Sequence, residues 1–240
     1  MYQQLINKLS TEFSTPIPIF VGKEEGWRIR AKLAVRGTIE TPKIGLFKPG
    51  THEVEDLIDC PDHHPAINEA LKALRAQTFL PYNETTQTGD LRYVQLTFSR
   101  TTKKVQLVLV ANGKDKCLDL AMKLQKAHDW HSIWINFQEG STNTIFGPTW
   151  LHLYGPRYLE EELLERLFHF HPACFIQANL YLFEKILLDI KQQVDEGHIT
   201  ELYAGVGIIS RIVNRPSTLV ESNPYAKESF FKSDPPPYLE

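Results

Sequence analysis

The sequence predicts an α+β domain followed by the opening of a Rossmann-like α/β domain. Three observations carry that expectation. Up to about residue 155, short runs with period-two alternation, such as "LRYVQLTF" and "KVQLVLV", are interspersed with two helical runs. Beyond it, "NLYLFEKILLDIKQQVD" places Leu180, Phe183, Leu187, Ile190 and Val194 on one long helical face. After that helix, "ITELY", the glycine turn "AGVG", the short helical "IISRIVNR" and the strand-like "STLVES" spell a β-turn-α-β unit, the start of a doubly wound sheet.

Taken in order, "MYQQLINKLSTEF" is a polar, amphipathic N-terminal helix without the apolar core of a signal peptide. Residues 27 to 60 read as strands, with Pro49-Gly50 as a turn. "PAINEALKALRA" spaces Ile67, Ala70, Leu71 and Leu74 as a helix, with Asp62 as its expected cap. "LRYVQLTF" and "KVQLVLV", joined by the polar "SRTT", form an expected hairpin. A second helix covers about 115 to 128, and "SIWINF" and "WLHLYG" add strands. The tail "KSDPPPYLE" cannot continue a helix through three prolines. The expected divisions are an N-terminal helix over 1–18 that packs on the second domain, an α+β domain over 19–155, and a partial α/β domain over 156–240.

Composition narrows the function classes. A net charge of −3 excludes coating of nucleic acid by bulk charge but leaves room for a local basic patch. No run of eighteen apolar residues offers a membrane span. Cys60, Cys117 and Cys174 are an odd, scattered set, which fits a reducing cytoplasm. Cys60, His63 and His64 lie close together but fall short of the four ligands that a structural zinc site needs, so no metal is expected.

Two stretches carry candidate chemistry. In "GWRIRAKLAVRG", read as a strand, Ile29, Ala31, Leu33 and Val35 share one face while Arg28, Arg30, Lys32 and Arg36 share the other. Four cations on one face suit either solvent or phosphate. In "ELYAGVG…LVES", Gly205 and Gly207 permit a tight turn close to a ligand, and Glu221 ends the second strand where a carboxylate can accept both ribose hydroxyls. A dinucleotide site would want a third glycine near 210, where Ser210 stands, so a single-nucleoside ligand such as S-adenosylmethionine fits better than NAD.

"ITELYAGVGIIS" with "LVESNPYA", preceded by "CFIQAN", resembles the RNA uracil-C5 methyltransferases that make 5-methyluridine. "WRIRAKLAV", "IGLFKPGTHEVEDLIDCP", "LRYVQLTFSR" and "VQLVLV" resemble that family's central RNA-binding domain, so the likeness runs from about residue 5 to about 228 and leans toward the ribosomal RNA branch. It implies S-adenosylmethionine contacts from Gln177, Tyr203, Gly205, Gly207 and Glu221, and it places Phe175 and Asn179 near the target base. On the residues alone, Phe175 would be a core aromatic and Gln177 a helix cap. The resemblance also makes Arg28, Arg30, Lys32 and Arg36 expected phosphate contacts to RNA. Trp27 and Tyr93 suit base stacking and core packing alike.

In such enzymes a cysteine thiolate attacks C6 of uracil and makes C5 nucleophilic toward the methyl group. The resemblance puts that cysteine in a stretch this chain does not contain. No catalytic residue is therefore expected here, and Cys174 is expected to be a buried structural thiol. "DPPP" resembles the family's aspartate-proline motif, but Asp234 follows Glu221 by only 13 residues. One subgroup holds an iron-sulfur cluster through four cysteines, the last in a context like Cys60-Pro61. The other three have no counterpart here, so no cluster is expected. An incomplete RNA methyltransferase and an RNA-binding module without catalysis are the two competing expectations.

Overall fold

The computed structural model describes residues 2–14, 19–140 and 144–233. Asp234 and the rest of the "DPPP" motif lie outside the described residues.

Helix α1 (Tyr2–Glu12) comes first in the chain, where the sequence places an N-terminal helix. Seven strands, β1 (Arg30–Gly37), β2 (Pro42–Phe47), β3 (Val54–Asp56), β4 (Leu91–Phe98), β5 (Val105–Ala111), β6 (Trp130–Phe137) and β7 (Thr149–Tyr154), form one sheet in the order β3-β2-β1-β4-β5-β6-β7. All neighbours are antiparallel except β5 and β6, whose parallel crossover carries helix α3 (Leu118–Ala127). The β4–β5 hairpin is the one expected. Helix α2 (Pro65–Arg75) and α3 cover one face: Ile67, Leu71 and Leu74 of α2 and Leu120 and Leu124 of α3 are buried in one core with Ile29, Leu33, Val35, Leu96 and Leu107. The cap of α2 is His64 rather than Asp62. Its Nδ1 accepts from the Ala66 amide (3.2 Å), and Pro65 occupies the first helical turn.

The opposite face is not the solvated cationic surface that alternation suggests. Register places Ala34 beside Tyr93 and then Val110, and Lys32 beside Gln95 and then Val108. Val108, Val110 and Trp134 form a second buried cluster, with Tyr93, Ile145, Phe146 and Trp150 packed on it. Tyr93 is thus a packing residue. Asn136 anchors the covering loop by accepting from the Gly147 amide (2.8 Å) and donating to the Gly147 and Thr149 carbonyls (2.9 and 3.1 Å). His171 sets its ring edge-on to Trp134 and Trp150 (4.8 and 5.2 Å).

The rest of the chain begins with a hairpin that the sequence reading did not resolve, β8 (Leu159–Leu163) and β9 (Arg166–Phe170). It is followed by α4 (Leu180–Gln193), β10 (Ile199–Leu202), α5 (Ile208–Val213), β11 (Ser217–Val220) and α6 (Pro224–Lys232). β10 and β11 pair in parallel, as the expected β-turn-α-β unit requires. Ser229 and Ser233 of the α6 end accept from the His171 and His169 amides (3.0 and 2.9 Å), which ties α6 to β9. The tip of the β4–β5 hairpin is clamped to both β8 and α4: Arg100 donates to buried Glu161 (2.5 Å) and to Glu184 (2.8 Å).

Candidate functional site

The loop leaving the C-terminal end of β10, Tyr203 to Gly207, opens a cleft of about 340 Å³ lined by Phe175, Gln177, Glu201, Tyr203, Gly205 and Glu221. A second cleft of about 430 Å³, reaching Thr218, Lys227 and Phe231, meets it at Ala204, Gly205 and Glu221. Crevices outside the carboxyl ends of parallel strands are where open α/β sheets take ligands.

The local sequence dictates this turn. Gly205 and Gly207 adopt φ of +55° and +69°, values that favour glycine. At Gly207 a Cβ would sit 2.7 Å from both Leu219 and Phe230, so close packing excludes a side chain there. At Gly205 nothing lies within 4 Å of the same position, so its backbone faces the open cleft. Tyr203 also has positive φ (+56°) and is 94% exposed.

Glu221 directly follows β11, with one carboxylate oxygen accepting from the Gly205 amide and the other from the Asn223 amide, both at 2.8 Å. Burial alone would raise its pKa. The amides of Asn223, Gly205 and Ser222 outweigh that and hold it below the ordinary carboxylate value, so the group is anionic at neutral pH. Ser210, standing where a dinucleotide site has glycine, donates its amide (2.9 Å) and its hydroxyl to Glu201 of β10. Burial raises the Glu201 pKa against these bonds. Glu201 is a lining residue that sequence reasoning missed, since a strand position alone gives no sign of the serine that meets it.

The structure brings together Gln177, Tyr203, Gly205, Glu221 and Phe175; Gly207 sits directly behind them. Phe175 is 69% exposed at the cleft rather than in a core. Asn179 is not brought to it. Its Oδ1 accepts from the Leu182 amide (3.1 Å) as the N-cap of α4, and its side chain lines a different cavity, beside Phe20, Trp27 and Asp62. The helix cap is therefore Asn179, not Gln177. Cys174 is buried as expected, its thiol pushed up to about 11 chiefly by burial.

Two of the four expected phosphate contacts are buried. Arg30 donates to the Cys174 and Pro172 carbonyls (2.6 and 2.9 Å) and to Gln95 (2.7 Å). Arg36 donates to the Val35 and Arg92 carbonyls (2.9 and 3.0 Å) and sits among the rings of Phe47, Tyr82 and Tyr93. Neither guanidinium faces solvent: Pro172 and Cys174 close over Arg30, and the rings named above, with Glu84 (3.7 Å), enclose Arg36. Lys32 remains exposed with its ammonium 4.9 Å from the Phe146 ring, its pKa pushed down to about 8 by partial desolvation and then by Arg30. Arg28 is half-buried against Trp27 (4.7 Å). His63 and His64 are otherwise engaged, with Asn68 (3.3 Å) and with the Phe98 ring (3.8 Å).

No family model matches the chain. It is 42% identical over 229 residues, 88% of its own length, to an uncharacterized RNA methyltransferase of Protochlamydia amoebophila, of which it covers 60%. It is 31% identical over 199 residues to the 23S rRNA (uracil(747)-C(5))-methyltransferase of Escherichia coli, covering 78% of this chain and 52% of that one. The tRNA (uracil-54, C5)-methyltransferase of Pyrococcus abyssi, solved in complex with S-adenosyl-L-homocysteine, superposes with a TM-score of 0.77 at 21% identity over 95% of this chain and 57% of that one. The chain thus spans between half and three-fifths of these relatives. The mixed sheet, the helices and the β-loop-α-β cleft share the fold of that Pyrococcus abyssi protein. In sequence the chain is a relative of proteins named RNA methyltransferases, a 23S rRNA (uracil-C5) methyltransferase among them.

Proposed function

We propose that this chain is the part of an RNA (uracil-C5) methyltransferase that holds S-adenosylmethionine and grips RNA, with ribosomal RNA as the substrate class and the cytoplasm as its setting. The observation that carries this reading is Glu221. It is an exposed carboxylate fixed by two backbone amides at the end of β11, beside an open glycine turn. Such a group can accept hydrogen bonds from the two hydroxyls of a ribose, while Phe175 and Tyr203 offer ring faces on the cleft rim and Gln177 an amide. S-adenosylmethionine bound there would supply an electrophilic methyl group. We assign residues 19–155 to RNA and residues 156–240 to the cofactor.

Two exposed cations flank the cover of the sheet: Lys32, beside Phe146, and, just past the boundary of the RNA-assigned segment, Arg157, beside Trp134 (5.4 Å). They are better candidates for phosphate than Arg30 and Arg36. Turnover through a C6 adduct needs a thiolate near the base. Cys117 and Cys174 are buried, with thiols pushed up to about 12 and 11 chiefly by burial, and no cysteine is among the cleft-lining residues described above. Our reading of this chain is therefore binding, with the covalent step assigned to residues other than these.

Isothermal titration of the 240-residue chain with S-adenosylhomocysteine tests the cofactor half. Saturable one-to-one binding that weakens about tenfold or more in Glu221→Ala is expected, the scale of losing charge-assisted hydrogen bonds. Absence of binding by the folded chain would refute it and leave an RNA-binding module.

A further inference from the structure

We propose that Arg30 is a positioning residue: from the central sheet, its guanidinium fixes the Pro172–Gln177 segment and so sets the Phe175 and Gln177 wall of the cleft. This rests on the cleft being the cofactor site.

Arg30 lies on β1, more than 140 residues before the segment it holds. One fork arm, Nη1, donates to the Cys174 carbonyl (2.6 Å), and the other, Nη2, to the Pro172 carbonyl (2.9 Å). Gln95 of β4, diagonal to Arg30 in the register, completes the bracket. Gln95 Oε1 accepts from Arg30 Nη2 (2.7 Å) while its Nε2 donates to the same Pro172 carbonyl (3.0 Å). The carbonyls of residues 172 and 174 are thereby pinned two residues apart. Beyond them the chain alternates, with Cys174 and Ile176 buried and Phe175 and Gln177 turned outward to the cleft. Fixing the carbonyls fixes which way the intervening side chains point.

Two further bonds extend the bracket. The Ile29 amide, from the residue just before β1, donates to the Ala178 carbonyl (2.9 Å) and closes the far end of the segment. On the other flank, Asn223 Nδ2 donates to the Ala173 carbonyl (3.0 Å) while the Asn223 amide holds Glu221 (2.8 Å). Both walls of the cleft are thus referenced to the same strand.

The partners of Arg30 argue against a purely stabilising role. It is buried, yet its described partners are two carbonyls and an amide, with no carboxylate to offset its charge. A desolvated cation of that kind is an expensive way to hold a fold, and its planar fork suits two carbonyls at a set spacing as an ammonium does not.

The test compares Arg30→Met, Arg30→Lys and Gln95→Leu in the full chain by peptide-resolved hydrogen exchange without ligand and by titration with S-adenosylhomocysteine. In Arg30→Met, exchange of the Ala173 and Cys174 amides, which donate to His171 Nδ1 and to the His171 carbonyl, and of the Ile29 amide, which donates to the Ala178 carbonyl, should rise about tenfold while the β4–β5 amides stay protected, and affinity should fall by a similar factor. Arg30→Lys should recover part of both, and Gln95→Leu should show the same pattern more weakly. Unchanged exchange in the segment, or protection lost uniformly across the sheet in both Arg30→Met and Gln95→Leu, would overturn the proposal. If the unsubstituted chain does not bind the probe, the cofactor reading fails, and the exchange pattern alone still decides whether Arg30 positions the segment.

Discussion

In the seven-stranded sheet, Arg30, Arg36 and Arg92 are all buried and donate to carbonyls around them. Around the β10–β11 pair, Tyr203, Gly205 and Glu221 sit at the surface, fixed from behind and open in front. The same residue chemistry therefore has different meanings in the two regions. A charged group whose donors are spent on protein holds the structure. A group anchored through part of its hydrogen-bonding capacity, with the rest turned to a cleft, is placed to meet a ligand. By that criterion Glu221 is the proposed site residue, and Arg30 the proposed positioning residue that acts through the segment it holds.

The largest effect should come from breaking an interior pair. Glu161 is fully buried and accepts from both the amide and the Nε of Arg100 (2.8 and 2.5 Å). Glu161→Ala should cost about 3 kcal/mol in urea unfolding, the low end for a broken buried pair because Glu184 still engages Arg100. A cost near zero would break the distinction between interior and cleft charges.

Next come the two glycines of the turn, which sharpen the contrast within one loop. Gly207→Ala adds a methyl against Leu219 and Phe230 at positive φ and should cost about 2 kcal/mol. Gly205→Ala meets only the strain of positive φ and should cost about 1 kcal/mol. Thermal or urea denaturation of the pair decides it. Equal costs would mean that the space behind Gly207 can relax.

Most elements were legible because hydrophobic period tracks local geometry: the strands, the four longer helices and the β-turn-α-β unit fall where alternation or helical spacing put them. The β8–β9 hairpin was not. Its two-residue turn is Leu164-Glu165, both at positive φ (49° and 65°), in place of the Asn-Gly or Asp-Gly that usually marks such a turn. Of the site, the glycine turn and Glu221 could be read because their chemistry is local. The fate of Arg30 and Arg36 could not. Alternation says that they share a face, but Arg30 is covered by residues 172–174 and Arg36 is enclosed by Phe47, Tyr82, Glu84 and Tyr93, none of them near in the chain.

Acid should separate the regions again. His171 is buried against Trp134 and Trp150 and stacked on Tyr225 (4.2 Å). Burial first, then Arg157 and His152, push its pKa down from 6.5 to about 3. The unfolded chain therefore takes up this proton first. The stability that follows from keeping His171 neutral is present above pH 6.5 and is lost as pH falls from there toward 3. His63, His64, His128, His152 and His169 are shifted the same way. Urea midpoints should drop between pH 7.5 and 5, and His171→Phe should drop less steeply. Parallel slopes would remove His171 from the account.

The smallest effect concerns Lys32, the one member of the strand's expected cationic set that stands exposed on the covered face. Lys32→Ala should weaken binding of a uridine-rich ribosomal RNA fragment only a few-fold. It should also reduce the salt dependence by about 0.7 in the slope of log affinity against log salt, the share of one phosphate contact to a single strand. Because desolvation and Arg30 bring the Lys32 ammonium to about 8, its contribution should fade as pH rises from 7 to 9, and that fading should vanish in the variant. Fluorescence anisotropy at two salt concentrations and two pH values measures all three. An unchanged salt slope would return Lys32 to solvent and move the RNA contact to another part of the surface.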